Sequence, residues 1–313
     1  MVQRISILIT SISLVALQAF AGAGQAGFDF LRRDLSAASV AIASANTAYP
    51  QPTSFDGNPA SLANKTGRTI SVGYIDYPLD LSAGHIAYAQ PWRGFTVGGR
   101  LAYFNYGSFD KTSVAGEKLG TFGANDIYVA GLIAKQTKYF STGAELGYLS
   151  SKIDTYSASA IVFSGGISAP VPIMSQLQAG VDIRNLGINV KKFDESTTDL
   201  PTSMRIGFSK RLDHLPLTLL AQLSKWSDTD PYFAGAGEFD VSDPFKLRMG
   251  YSTLGADQKT GATSESIAGF SAGFGLKYRD YLFDFAYAFQ GALGDRLYVQ
   301  FNWFPVTAAS SPR

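Results

Sequence analysis

The chain has 313 residues, 26 basic and 25 acidic side chains, and no cysteine. Only 16% of its residues are charged, below the roughly 25% that is usual in soluble globular chains, while 46% are hydrophobic and 13% aromatic. The missing cysteines exclude a disulfide framework and a thiolate metal site. The near-neutral net charge gives no reason to expect nucleic acid as a partner. This composition favours a β-structure with one face in lipid.

The first 26 residues have the features of a secretory signal peptide. Arg4 supplies the positive charge of the n-region, Ile5–Phe20 forms the apolar h-region, and Ala19-Phe20-Ala21 is a small-x-small cleavage site. The alternative is a membrane-anchoring helix. We predict a signal peptide over residues 1–26 and therefore an exported protein.

From about residue 67 onwards, apolar side chains alternate with small or charged ones. Phe245, Leu247 and Met249, for example, alternate with Lys246 and Arg248. A period of two is typical of strands. The alternation predicts strands over Gly67–Tyr77, Asp80–Pro91, Gly94–Tyr106, Gly123–Lys135, Lys138–Ser150, Thr155–Ser168, Met174–Arg184, Thr202–Leu212, Leu215–Trp226, Tyr232–Val241, Pro244–Thr253, Ile267–Arg279, Tyr281–Phe289 and Arg296–Phe304.

The connections between these strands differ in length at the two ends. The three long ones, Gly107–Phe122, Asn185–Pro201 and Leu254–Ser266, follow the third, seventh and eleventh strands and so share one end. Tight turns at one end and long loops at the other are typical of outer-membrane barrels. We therefore predict an all-β fold. It is a transmembrane antiparallel β-barrel of about 14 strands over residues 67–304, in contact with the lipid of the outer membrane of a Gram-negative bacterium.

Residues 27–66 do not alternate. They contain the small-residue run Ser36–Ala45, and then Pro50, Pro52 and Pro59. Because a barrel of this size has a lumen too wide for its own side chains to fill, we predict that this segment is a plug in the lumen. The alternative is a periplasmic tail. Residues 305–313 are predicted to form a polar C-terminal tail.

Two stretches carry motifs of a known family. The first lies in the predicted plug and comprises Phe28, Phe30, Leu31, Ser36, Asn58, Pro59 and Ala60. The second lies in the first long connection and comprises Phe109, Asp110, Gly120, Thr121 and Phe122. With these residues the chain resembles the PorV/PorQ family, FadL-like barrels of the Bacteroidota type IX secretion system, and is most similar to its PorQ branch. The resemblance implies a non-enzymatic part in attaching secreted cargo at the cell surface, near a sortase-like partner.

Sequence motifs for catalysis are weak. Gly269–Gly273 matches the Gly-x-Ser-x-Gly nucleophile pattern, which requires a strand-to-helix turn, but here it lies inside a predicted strand. A hydrolase would also need a histidine, and neither His85 nor His214 has a partner that the sequence can name. We predict no catalytic residues, no cofactor, no metal and no soluble small-molecule substrate.

The polar faces of the predicted strands carry ten charged side chains: Arg100, Glu145, Asp182, Arg184, Arg205, Arg211, Lys246, Arg248, Lys277 and Asp284. A lysine or arginine facing lipid at mid-bilayer costs about 2–4 kcal/mol, so these side chains are expected to face the lumen. They fit an internal network of salt bridges that anchors the plug, or a basic lumen that attracts anionic solutes.

Two functions are consistent with this pattern. The first is a non-enzymatic barrel of type IX secretion that helps translocation or surface attachment of cargo, with attachment-complex proteins, including a sortase-like one, as partners. The alternative is a FadL-like outer-membrane channel for hydrophobic compounds. The charged inner face favours the first, and the first long connection is the expected contact surface because binding residues concentrate in loops on a rigid frame.

Overall fold

The computed structural model describes residues 28–49, 51, 55–65, 67–79, 81–193, 199–256, 267–291 and 294–305. The predicted signal peptide lies outside the described residues, as do residues 306–313 of the predicted tail.

Fourteen antiparallel strands form a closed barrel, in which each strand pairs with its neighbours in sequence and β14 returns to β1. Ile70 of β1 faces Trp303 of β14, and Asp76 faces Leu297. The predicted all-β barrel is confirmed, and each predicted strand overlaps one observed strand. These are β1 (Thr69–Asp76), β2 (Ser82–Trp92), β3 (Phe95–Thr112), β4 (Lys118–Gln136), β5 (Ser141–Ile153), β6 (Tyr156–Pro170), β7 (Leu177–Lys191), β8 (Ser203–Arg211), β9 (Leu217–Trp226), β10 (Tyr232–Ser242), β11 (Phe245–Ser252), β12 (Phe270–Tyr278), β13 (Tyr281–Ala288) and β14 (Arg296–Trp303).

Helical structure in the described residues is limited to short turns. Two are 3₁₀ turns, at Asp29–Arg32 and Pro59–Asn64, and two are single α-helical turns, at Ala37–Val40 and Thr253–Ala256. Within the described ranges, no helix has the length and apolar character needed to cross a membrane.

The two faces of the barrel wall differ in polarity as the alternation requires. On β1, Ser71 and Ile75 are buried inside, whereas Val72 and Tyr74 point outward and are 46% and 55% exposed. The same pattern of exposed aliphatic and aromatic side chains continues around the outer surface. Since successive strand residues point to opposite faces, the outer surface is apolar and suited to contact with lipid.

The barrel wall is higher on one side. Strands β3 to β7 contain 13–19 residues each, whereas the other strands contain 8–11. β2 pairs with β3 only as far as Asn105, and β5 pairs with β4 only as far as Ala124. Residues 106–123 therefore extend beyond both neighbours, by about 20 Å at 3.3 Å per residue. We call residues 106–123 the projecting hairpin.

The prediction that residues 107–122 form a loop is wrong. They continue the ladder of β3 and β4, with Ser108 opposite Gly123 and Asp110 opposite Thr121. Most of these side chains are exposed on both faces, so the sequence lacks the polarity alternation by which the membrane strands were recognised. The connection predicted over residues 185–201 is likewise shorter, because β7 continues to Lys191. Most of the third long connection lies outside the described residues.

The described part of the N-terminal segment, residues 28–49, 51 and 55–65, lies inside the barrel. Its α-helical turn at Ala37–Val40 packs against β12, β13 and β14, and its 3₁₀ turn at Pro59–Asn64 packs against β3 to β6. Phe30, Leu31 and Ala37 belong to one buried cluster with inward side chains of the wall, including Phe104. The lumen core is thus built jointly by this segment and the strands.

Candidate functional site: a filled lumen, an outer cavity and a projecting hairpin

Inward-facing glycines let the N-terminal segment approach the wall backbone closely. A Cβ added at Gly143 would lie 2.3 Å from the carbonyl carbon of Pro59, and one added at Gly180 would lie 2.2 Å from the Thr47 carbonyl oxygen. Such distances are far below van der Waals contact, so any side chain here would displace the segment. These glycines mark the path of the segment along the wall.

Asp56 connects the segment to β3 through a shared arginine. Its carboxylate accepts hydrogen bonds from the Leu35 and Ser36 backbone N–H groups at 2.9 and 2.7 Å, and from Arg100 Nη1 at 2.6 Å. Arg100 Nη2 also donates to Glu145 of β5 at 2.9 Å. Burial disfavours the charged form of Asp56, but the nearby positive charges, Arg100 first among them, and the Ser36 N–H hydrogen bond together outweigh it, so the pKa of Asp56 lies below its ordinary value.

A second polar cluster surrounds Asp34. Asn46 Nδ2 donates to its carboxylate at 2.9 Å, Ser39 Oγ also donates to it, and Arg184 Nη1 lies 3.6 Å away. Burial raises the pKa of Asp34, and the nearby Asp56 carboxylate raises it further. The two acids are therefore held in different electrostatic environments within one segment.

The barrel wall carries its own buried ion pairs. Arg205 of β8 binds Asp182 of β7 with two hydrogen bonds, at 2.8 and 2.7 Å. Arg248 of β11 bridges Glu238 at 2.7 Å and Asp284 at 2.6 Å. Of the ten charges expected in the lumen, seven lie inside the barrel, each paired with an opposite charge: Arg100, Glu145, Asp182, Arg184, Arg205, Arg248 and Asp284. Arg211 and Lys246 are more exposed and pair with Asp240, and Lys277 is exposed.

The motif residues of the predicted plug occupy several places along the segment. Ser36 Oγ donates to Gln300 Oε1 of β14 at 2.9 Å. Asn58 Oδ1 accepts from the Ala60 N–H at 2.9 Å, while Asn58 Nδ2 donates to the Ile167 and Val181 carbonyls at 3.1 and 3.3 Å. The others are buried apolar side chains: Phe28, Phe30, Leu31, Pro59 and Ala60.

The second group of motif residues lies on the strands of the projecting hairpin. Phe109 faces Phe122 across the hairpin, with ring centroids 5.4 Å apart. Gly120 has a φ of +141° and Thr121 faces Asp110, which forms a 2.7 Å ion pair with Lys118. The structure brings these five residues into one exposed β-ribbon, separate from the plug motif.

An outer cavity of about 240 Å³ lies at the end of the barrel from which the hairpin projects. Its wall is largely apolar, with Tyr77, Leu79 and Phe104, and it also contains Arg33 and Arg296. Arg296 is 9% exposed, its guanidinium lies 5.1 Å from the Tyr77 ring centroid, and it makes no ion pair within the described residues. Sequence reasoning missed this cavity because its lining comes from separate turns and strand ends that only the fold brings together.

The residues that the sequence considered for catalysis lie on different elements of the structure. Ser271 of the Gly-x-Ser-x-Gly pattern lies on β12, where its Oγ accepts a hydrogen bond from the Ala43 N–H at 3.1 Å. His85 lies on β2 beside Ser71, and His214 lies in the β8–β9 connection. Among the described residues, no group of three or more histidine or acidic side chains could hold a metal ion.

Comparison with known proteins identifies the fold. No protein-family model and no curated protein matches the chain. The toluene transporter TbuX of Ralstonia pickettii superposes with a TM-score of 0.60 at 10% identity, over 85% of this chain and 97% of that one. The CymD monoaromatic hydrocarbon channel gives 0.60 at 10% identity, over 87% and 98%. A Pseudomonas aeruginosa FadL homologue gives 0.54 at 12% identity, also over 87% and 98%. At such identities the likeness concerns the fold, which is that of FadL-like barrels.

Proposed function

We propose that this protein is an outer-membrane barrel closed by its N-terminal segment, which serves type IX secretion as a non-enzymatic component. A closed barrel with an apolar outer surface fits the outer membrane of a Gram-negative bacterium. In that placement the ends of β1 and β14 at which the chain enters and leaves the barrel wall face the periplasm, and the projecting hairpin faces outward. The secretion role rests on the resemblance of the plug and hairpin motifs to the PorV/PorQ family.

The observation that carries the proposal is the hairpin itself. It carries the family-like Phe109 and Phe122, stands about 20 Å beyond its neighbours, and is joined to the β5–β6 turn by a 2.7 Å ion pair between Lys111 and Asp154. An exposed β-ribbon with an aromatic pair is a suitable surface for a protein partner, because aromatic side chains are enriched in binding hot spots.

The filled lumen supports a binding role over transport. The segment contributes Asp56 to Arg100 and Asp34 to Arg184, and withdrawing it would separate both pairs. A ligand can shift the balance between the segment inside the lumen and the segment withdrawn only by as much as it binds the withdrawn state more tightly. A hydrocarbon offers no charge to replace these carboxylates.

The experiment replaces residues 107–122 by a short Gly-Ser turn in the native strain. Barrel assembly should be unchanged, as judged by heat-modifiable gel mobility, while co-purification with type IX attachment proteins, including a sortase-like one, should be lost. Phe109→Ala/Phe122→Ala should weaken co-purification, whereas Val114→Ala at the exposed tip is the matched control and should not. Normal secretion and attachment of cargo in a deletion strain would refute the role.

A second candidate is a channel for hydrophobic compounds. The names of the similar solved structures support this candidate more directly than the secretion role, and the apolar outer cavity is a place where a small hydrophobic compound could bind. Phe104→Trp would fill part of that cavity. Reduced uptake of toluene in this variant, with unchanged co-purification of secretion partners, would favour the channel.

A further inference from the structure

Two neighbouring turns at the end of the barrel opposite the projecting hairpin carry basic side chains without an acid. Arg93 lies in the β2–β3 turn, Lys135 lies at the end of β4, and Lys138 lies in the β4–β5 turn. Residues 91–96 and 134–141 contain no aspartate or glutamate. All three cations are exposed, and none forms an ion pair with an acid that the structure describes.

Other connections at the same end carry both signs of charge. After β8, Lys210 lies 3.6 Å from Asp213, and Arg211 lies 2.6 Å from Asp240 of β10. In the β12–β13 turn, Arg279 is followed directly by an aspartate. Positive charge at these connections is therefore largely offset, whereas that of the β2–β3 and β4–β5 turns is not.

Each of the three cations lies against an exposed aromatic ring. The distance from the charged group to the ring centroid is 5.3 Å for Arg93 and Trp92, 5.0 Å for Lys135 and Phe95, and 5.4 Å for Lys138 and Tyr139. Such pairs are attractive because a positive group faces the electron-rich face of the ring. We call these six residues the rim patch.

The rim patch lies on the lipid-facing side of the wall. Thr96 and Ala134 face each other across β3 and β4, and both are buried inside. The adjacent residues, Phe95 and Lys135, therefore point outward, and Trp92 is opposite Phe95 on β2. Aromatic rings at the end of such a wall lie at the membrane–water interface, and a lysine there reaches the headgroups with its ammonium group.

The geometry of the two turns brings their cations close together. Arg93 and Gly94 form a two-residue hairpin, with φ of 49° and 80°. In the β4–β5 turn, Thr137 donates to the Phe140 carbonyl from its N–H at 2.8 Å and from Oγ1 at 2.6 Å. Neighbouring strands are about 4.8 Å apart, so β2 and β4 are separated by about 10 Å. Long side chains from both turns can therefore reach one headgroup.

We infer that the rim patch binds the headgroup of an anionic phospholipid, with the phosphate at Arg93, Lys135 and Lys138 and the acyl chains along the outer wall. Basic side chains beside a membrane attract anionic lipids. A phospholipid fits better than a free anion or an acidic protein, because the cations lie on rings that belong to the lipid-facing surface. A zwitterionic headgroup brings an ammonium group, for which the patch offers no carboxylate. The inference rests on the membrane placement in the proposed function and is independent of the secretion role.

The test uses tryptophan fluorescence, because Trp92 belongs to the rim patch. Of the other two tryptophans, Trp226 is 3% exposed and lies inside the barrel, and Trp303→Phe removes the one on the outer wall. The full-length Trp303→Phe protein is reconstituted in vesicles of dibrominated phosphatidylcholine, whose bromines quench a tryptophan that they contact. Unlabelled phosphatidylglycerol should displace the brominated lipid from Trp92 at least about fivefold better than unlabelled phosphatidylcholine. This preference should weaken as salt rises.

Two triple variants in the same background locate the effect. Arg93→Gln/Lys135→Gln/Lys138→Gln should abolish the preference for phosphatidylglycerol. The control, Lys210→Gln/Lys277→Gln/Arg279→Gln, removes the same charge from the same end and should keep the preference. Heat-modifiable gel mobility verifies that both variants are folded.

Three results would overturn the inference. The first is equal displacement by the two unlabelled lipids, which would leave the membrane placement intact. The second is equal loss of the preference in the two triple variants, which would indicate only a net-charge effect. The third is loss of the preference on adding inorganic phosphate at constant ionic strength, which would assign the patch to free anions. If brominated lipid does not quench Trp92 at all, the membrane placement itself is contradicted, and the inference with it.

Discussion

Arg100 joins the N-terminal segment to the wall at the scale of single residues. Its guanidinium lies between Asp56 of the segment, at 2.6 Å, and Glu145 of β5, at 2.9 Å. Both carboxylates are buried, so neither can replace this partner with water. Removing one member of a buried ion pair is costly because it leaves an uncompensated charge.

Arg100→Met is expected to destabilise the protein by about 3–5 kcal/mol. Loss of the guanidinium leaves Asp56 and Glu145 close together without their cation. Chemical unfolding in detergent measures the change, and limited proteolysis should cut the N-terminal segment faster. Lys118→Gln breaks an exposed ion pair with Asp110 and should change stability by less than about 1 kcal/mol. Equal effects of the two substitutions would contradict the anchoring role of Arg100.

Lys65 predicts a dependence of stability on pH. Burial lowers its pKa from 10.5 to about 7, so between pH 7 and 10 the unfolded chain binds more protons at this site than the folded one. Stability should therefore rise with pH across this window, by at most about 1.4 kcal/mol per pH unit. Thermal unfolding at pH 7, 8 and 9 should show this rise relative to Lys65→Met. Parallel pH profiles of the two proteins would contradict it.

At the scale of elements, glycines on inward faces decide where the segment can lie. Gly143→Ala would place a Cβ 2.3 Å from the Pro59 backbone, and backbone cannot move aside as a flexible side chain can. This variant should assemble its barrel but release the 3₁₀ turn at Pro59–Asn64 to protease. Gly131→Ala on β4 is the matched control, since nothing lies within 4 Å of the added Cβ. Cleavage of both variants at the wild-type rate would show that close packing at Gly143 does not hold the segment.

The elements differ in how far the sequence predicts them. Strands that separate lipid from lumen alternate in polarity, which is why all fourteen were recognisable. The side chains of the projecting hairpin are exposed on both faces, so its residues, such as Phe109 and Thr121, give no such pattern. Its ladder is visible only when the register of β3 and β4 is known.

The candidate sites were also predictable to different degrees, because only some of their residues belong to a local polarity pattern. Charges on polar strand faces, such as Arg205, were expected inside because lipid excludes them. Their partners were not predictable, since Arg100 and Asp56 are brought together by the path of a segment without periodicity. The outer cavity gathers side chains from distant strands, so no local spacing reveals it.

At the scale of the whole molecule, the structure separates three surfaces. The outer wall is apolar, the lumen is filled by the N-terminal segment, and the two ends carry different features: an aromatic hairpin at one and the rim patch at the other. Contacts with water-soluble proteins are therefore expected at the two ends. A filled lumen distinguishes this barrel from an open, water-filled pore.

Conductance in planar lipid bilayers tests this closure most directly. The wild-type barrel should show no stable current steps, because ion pairs such as Asp56–Arg100 hold the segment in the lumen. A variant lacking residues 28–65 should conduct steadily if it assembles, which heat-modifiable gel mobility verifies. Stable current steps from the wild-type protein, of the same size as those of the deletion variant, would contradict the account.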